Sequence, residues 1–129
     1  MRRVFLLVSM LAGVLALAGC GPKLSLGSVI IGTTVFDITS EGSNAAGSMT
    51  NYAIKPEGGN AGITMVQAGV GADANSAAGT MVTGTYDAAD GDYDCNVALP
   101  NPIPANAMLF ITVTTATGTM TGSIAVPAG

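Results

Sequence analysis

Four aspartates fall within eight residues of this chain, Asp87, Asp90, Asp92 and Asp94, and they are half of its eight acids. An ionised carboxylate offers only acceptor oxygens, so such a group suits a hard cation or open solvent and otherwise repels itself. Asp90, Asp92 and Asp94 have the 1-3-5 spacing of a calcium loop. The rest of an EF-hand is missing: Cys95 stands where that loop needs its turn glycine, and Asn101 where it needs the bidentate glutamate. Two readings stand side by side. One is a calcium site built from Asp87, Asp90, Asp92 and Asp94; the other is a solvated acidic turn in which Asp and Gly serve turn geometry. No other cofactor is expected.

The remaining residue types close most other chemistries. The chain has no His and no Trp, and its only arginines are Arg2 and Arg3. There is no His base for a Ser or Cys nucleophile, no His-containing zinc site and no arginine clamp for phosphate. The two cysteines are Cys20 and Cys95. Cys95 lies in an alternating apolar series and reads as a small core hydrophobe, the commonest place for a free thiol. The seven methionines, Met1 and Met10 among them, read as apolar filler, since a copper site would need His or Cys beside them. An enzyme is not expected.

Met1-Arg2-Arg3, the apolar run Val4 to Leu17 and the sequence Leu17-Ala18-Gly19-Cys20 resemble the signal peptide of a bacterial lipoprotein. The apolar run is shorter than the ~20 residues a spanning helix needs. By that resemblance residues 1–19 are removed and Cys20 becomes the first residue of the mature chain, its thiol carrying a diacylglycerol and its amine a further acyl chain such as palmitate. Two or more chains hold a protein stably at a membrane, each buried methylene contributing ~0.8 kcal/mol. Gly21 follows where lipoproteins retained in the inner membrane of enteric bacteria often carry aspartate. The resemblance therefore implies the outer membrane, on its periplasmic or cell-surface face. Without residues 1–19 the chain keeps Lys23 and Lys55 against eight acids, a net charge of −6. Nucleic acid is excluded as a partner, because phosphate binding needs clustered Lys and Arg.

The elements that would position these groups read as strands. The expected organisation is a lipidated tether over residues 20–27 and one domain over 28–129, large enough for a single core. Phe36 and Ile38 share a face in a strand Thr33–Thr39. Tyr52 and Ile54 mark a short strand, residues 63–67 another, and Met81–Tyr86 a third. Residues 40–48 and 68–78 carry loop composition. Tyr93, Cys95, Val97 and Leu99 point one way while Asp92, Asp94, Asn96 and Ala98 point the other. Pro100, Pro102 and Pro104 require a crossing loop. Leu109, Ile111 and Val113 form an inward row backed by Met108 and Phe110, the pattern of a central strand. Met120, Ile124 and Val126 alternate with polar residues in a last strand. Seven or eight such strands predict an all-β, antiparallel sandwich.

Ile31-Gly32-Thr33-Thr34-Val35-Phe36-Asp37-Ile38 and Tyr86-Asp87-Ala88-Ala89-Asp90-Gly91-Asp92-Tyr93 resemble motifs of the carboxypeptidase regulatory-like, or transthyretin-like, sandwich modules. Thr33 replaces the usual alanine of the first motif, and the second carries extra aspartates. The resemblance, over roughly residues 26–115, implies a transthyretin-like or Ig-like sandwich used for binding, adhesion or structural spacing. The expected function is a non-catalytic envelope lipoprotein, bound to the membrane through Cys20 and meeting an envelope or surface protein partner. Two further expectations are a calcium-dependent recognition domain using residues 87–94 and an assembly subunit that pairs through an uncharged edge strand.

Overall fold

A computed structural model describes residues 23–41, 45–76 and 78–127. They form an antiparallel β-sandwich. The strands are β1 (Lys23–Ile31), β2 (Thr34–Glu41), β3 (Met49–Pro56), β4 (Ile63–Gly71), β5 (Val82–Thr83), β6 (Thr85–Asp87), β7 (Asp92–Ala98), β8 (Met108–Thr115) and β9 (Gly118–Ala125). One sheet has the order β1-β2-β3-β7-β6 and the other β9-β8-β4-β5. Among the described residues no helix is long and apolar enough to cross a membrane.

The period-2 pattern dictates which faces meet. Phe36 and Ile38 of β2, Tyr52 and Ile54 of β3, and Tyr93, Cys95 and Val97 of β7 are buried against Val66 and Ala68 of β4 and Leu109, Ile111 and Val113 of β8. Each fully buried Ile, Leu or Phe contributes ~1.5–3 kcal/mol relative to exposure, so this one layer carries most of the stability. β8 lies between β9 and β4, as its two-sided apolar pattern requires. The proline-bearing stretch after β7 carries the chain from one sheet to the other, and its Asn101–Pro102 bond is cis.

The loops expected over 40–48 and 68–78 are shorter than their composition suggests: Ser40 and Glu41 close β2 in register with Tyr52 and Asn51, and Ala68 to Gly71 continue β4 against β8, because cross-strand pairing and burial of Ser40 and Ala68 override local composition. Two further expectations change. Lys23 to Gly27, assigned from sequence to the tether, is the first half of β1: Lys23 stands in register with Glu41, Leu24 with Ser40 and Ser25 with Thr39. Pairing with β2 satisfies backbone groups that a tether would leave to water, and Lys23 Nζ lies 3.4 Å from Glu41 Oε2. The second change is at Met81–Tyr86, which is not one strand. Val82–Thr83 pairs with β4 in one sheet and Thr85–Asp87 with β7 in the other.

Gly84 makes that handover. Its N–H donates to Val66 O at 2.8 Å, and a Cβ placed on it would stand 2.8 Å from Cys95 Sγ and 3.3 Å from Tyr93 Cβ. The chain crosses between sheets where a side chain has no room. At the opposite side of the sandwich Gly122 of β9 plays the corresponding part, with Ile31 Cγ1 2.7 Å and Val29 Cγ2 3.0 Å from the place of its absent Cβ. Edge strands β9 and β1 can approach only because of it.

Register also sets the two ends of the sandwich. The β1–β2 turn at Gly32-Thr33, the β3–β4 connection and the β6–β7 turn lie at one end. Lys23, the start of β3 and the end of β7 lie at the other, since Met49 pairs with Ala98 and Lys23 with Glu41.

Gly84→Ala should destabilise the domain by about 1–3 kcal/mol in denaturant unfolding. Combined with Cys95→Ala, which removes the atom it would strike, its cost should shrink measurably. Strict additivity of the two substitutions would show that the crowding at Gly84 has been misread.

Candidate functional site

The outward face of the five-stranded sheet gathers the acids. In β2 Asp37 and Glu41 alternate with inward Phe36, Ile38 and Ser40, and in β7 Asp92 and Asp94 alternate with inward Tyr93 and Cys95. Antiparallel register carries these positions across the sheet: Asp37 opposite Lys55, Glu41 opposite Asn51, Asp87 opposite Asp92. Glu57 reaches the same face, where a hydrogen bond and charge repulsion from Asp37 push its carboxyl above the usual range. Seven of the eight acids therefore lie on this face or its rim; the eighth, Asp73, sits in the loop after β4. A cleft of about 240 Å³ opens here, lined by Lys23, Asp37, Thr39, Glu41, Ala53, Lys55, Asp90 and Asp92.

The β6–β7 turn is built by its own residues. Asp87 Oδ1 accepts the Ala89 N–H at 2.9 Å, and Asp87 O accepts the Gly91 N–H at 2.7 Å. Gly91 holds φ at +73°, the left-handed conformation that closes the turn. One carboxylate oxygen from each of Asp87, Asp90 and Asp92 lies within 4.8 Å of the others. These three are the residues that could hold a metal.

Asp94 departs from the expected set. It lies one step along the same face, where Asn51 Nδ2 donates to its Oδ1 at 3.4 Å and to Glu41 Oε1 at 2.8 Å. The amide links two carboxylates from strands far apart in sequence, and Asp94 stays outside the trio.

Asp92 departs from the solvated reading of the turn. Its outward direction is as expected, yet it is only 6% exposed, and its Oδ1 is shielded from solvent with no hydrogen-bond partner. Burial, followed by the charges of Asp94 and Asp90, a hydrogen bond shared with Asp94 and the charge of Glu41, pushes its carboxyl up to about 6. Desolvation penalises the charged form, and each neighbouring charge that shifts this carboxyl is itself an acid.

Two other groups behave as their surroundings demand. Burial, with a smaller contribution from Asp94, pushes the Cys95 thiol up to about 12, which opposes any nucleophilic role. Tyr93 packs inward and Tyr86 lies beside it, half in solvent, with ring centroids 4.9 Å apart at 53°. Cys20 and the whole lipoprotein-like stretch lie outside the described residues. Asp37, Glu41, Asn51 and Lys55 escaped the sequence reading because they meet the aspartates only through strand register; single acids and amides spaced along β2 and β3 carry no local signal.

Comparison of the chain with protein-family models, with characterised proteins and with solved structures returns no match.

A raised carboxyl pKa fixes the sign of a pH effect. The unfolded chain releases the Asp92 proton near 3.8, the folded chain near 6, so the stabilising proton is fully held below 3.8 and lost as pH rises through 6. In metal-free buffer the melting temperature should fall between pH 4 and pH 7. Asp92→Asn should remove most of that slope and stabilise the protein at pH 7 by about 1–2 kcal/mol. A substitution that leaves the slope intact would show that Asp92 is not its source.

Proposed function

We propose that this protein is a non-catalytic lipoprotein of the bacterial cell envelope, held at the outer membrane through lipid on Cys20 and presenting the acidic end of its sandwich to an envelope or surface protein. The direction of β1 is the observation that carries this reading. Lys23 follows Cys20 by three residues and begins β1, which runs nine residues to the end of the domain that holds the β6–β7 turn. At ~3.3 Å per residue that strand spans ~27 Å. Lipid on Cys20 would thus hold one end of the sandwich at the bilayer and turn the aspartates away from it. An acidic domain with few lysines gains little from an anionic lipid surface, so attachment falls to the acyl chains.

The chemistry of the domain favours binding over catalysis. Its one described thiol is buried, the chain has no His, and its outward carboxylates face one another rather than a nucleophile or an electrophile. The resemblance to carboxypeptidase regulatory-like modules, which many bacterial surface lipoproteins carry, implies the same kind of role.

Labelled palmitate supplied to bacteria expressing the full chain should appear in the protein, and the protein should fractionate with membranes. Cys20→Ser should lose the label and release the domain, whereas Cys95→Ser should keep both properties. An unlabelled wild-type protein, or label surviving Cys20→Ser, would refute the anchor.

A further inference from the structure

We infer that the β6–β7 turn is a calcium-type cation site whose carboxylate ligands are Asp87, Asp90 and Asp92. The turn itself explains only part of what is there. Asp87 is held by the Ala89 and Gly91 N–H groups and Gly91 supplies the left-handed backbone, so both residues have a geometric reason to be present. Asp92 has none: its Oδ1 is buried and makes no hydrogen bond, and one of its carboxylate oxygens belongs to the trio that lie within 4.8 Å of one another. A shielded carboxylate oxygen without a donor is costly, and two more carboxylates beside it raise that cost.

The lysines of the cleft do not relieve it. Lys23 pairs with Glu41 at 3.4 Å. Lys55 crosses above Gly91, its Cε 3.9 Å from where a Cβ would stand, and Asp92 Oδ1 still has no partner. A divalent ion between the three carboxylates would supply the missing positive charge.

The donor set selects the ion. All three ligands are carboxylate oxygens, with no His in the chain and Cys95 on the inward side of β7, so soft and borderline metals are disfavoured. Calcium–oxygen distances are ~2.3–2.6 Å, so oxygens on opposite sides of one ion stand at most ~5 Å apart, which matches the observed spread with little movement. Calcium accepts six to eight oxygens in a flexible shell, and water could fill the places an exposed turn leaves open. Magnesium holds its own water shell in a stricter octahedron. Three carboxylates with solvent access correspond to the weak, extracellular range of ~10⁻⁴–10⁻³ M. Bound there, the ion would tie the three-residue edge strand β6 to β7. The site depends on the turn alone and would form whether or not the chain carries lipid.

Terbium reports on such a site, because it occupies calcium positions and luminesces when excited through nearby tyrosines; Tyr86 and Tyr93 are the adjacent pair. The full-length chain in detergent should give saturable terbium luminescence that millimolar calcium displaces and equal magnesium displaces poorly. Asp92→Asn and Asp90→Asn should each weaken binding about tenfold or more, while Asp73→Asn, which alters an acid in another loop, should not. Melting in metal-free buffer provides the folding control, and calcium should raise the melting temperature of the wild type but not of Asp92→Asn. Absence of saturable binding, binding that survives Asp92→Asn in a folded protein, or equal loss in Asp73→Asn would overturn the site. Equal displacement by magnesium would overturn its calcium character.

Discussion

Two sheets of this sandwich share one apolar layer, and every other feature is arranged around keeping that layer closed. Phe36, Ile38, Tyr52 and Ile54 from one sheet meet Val66, Leu109, Ile111 and Val113 from the other with almost no exposure. A chain rich in Gly, Ala, Ser and Thr has few large side chains to spend on a core, so the sheets must approach closely where they can. Gly84 and Gly122 stand where a side chain would hold them apart. Burial in that layer keeps Cys95 a thiol.

With the inward rows committed to packing, the outward rows are free to differ, and they do. The four-stranded sheet presents hydroxyls in register, Thr112 against Thr121 and Thr114 against Thr119, each pair 3.2 Å apart, with Gln67 bonded to Thr83. The five-stranded sheet presents nearly all of the chain's acids against two lysines. Charge gathered mostly on one side gives the domain a directed field in place of a uniform one. Asp92 pays the largest penalty within that field, because the strand that brings it to the face also buries it. Its orphaned oxygen is the point at which the fold and a ligand's requirements coincide.

Much of this was legible in local sequence. Alternation at Tyr93, Cys95, Val97 and Leu99, and again at Leu109, Ile111 and Val113, named the buried rows correctly, because a strand's two faces are set by a period that needs no knowledge of its neighbours. The prolines after Leu99 excluded a central strand for the same local reason. The early part of β1 was missed since Lys23 to Gly27 gains its strand character from pairing with β2, and Met81–Tyr86 was read as continuous although Gly84 within it is the local sign of a close backbone approach.

The sequence by itself determined the all-β character, the inward rows of the long strands, the antiparallel sandwich and the presence of a dense acidic turn, all of which follow from side-chain period and turn chemistry. Only the tertiary structure decided which strands pair and where the sheets cross. It left Asp94 outside the oxygen cluster of Asp87, Asp90 and Asp92 and gave it Asn51 as a donor, and it took Asp92 out of water. Register and burial are properties of contacts between segments tens of residues apart, and a charge's cost depends on what those contacts exclude rather than on the residues beside it in the chain.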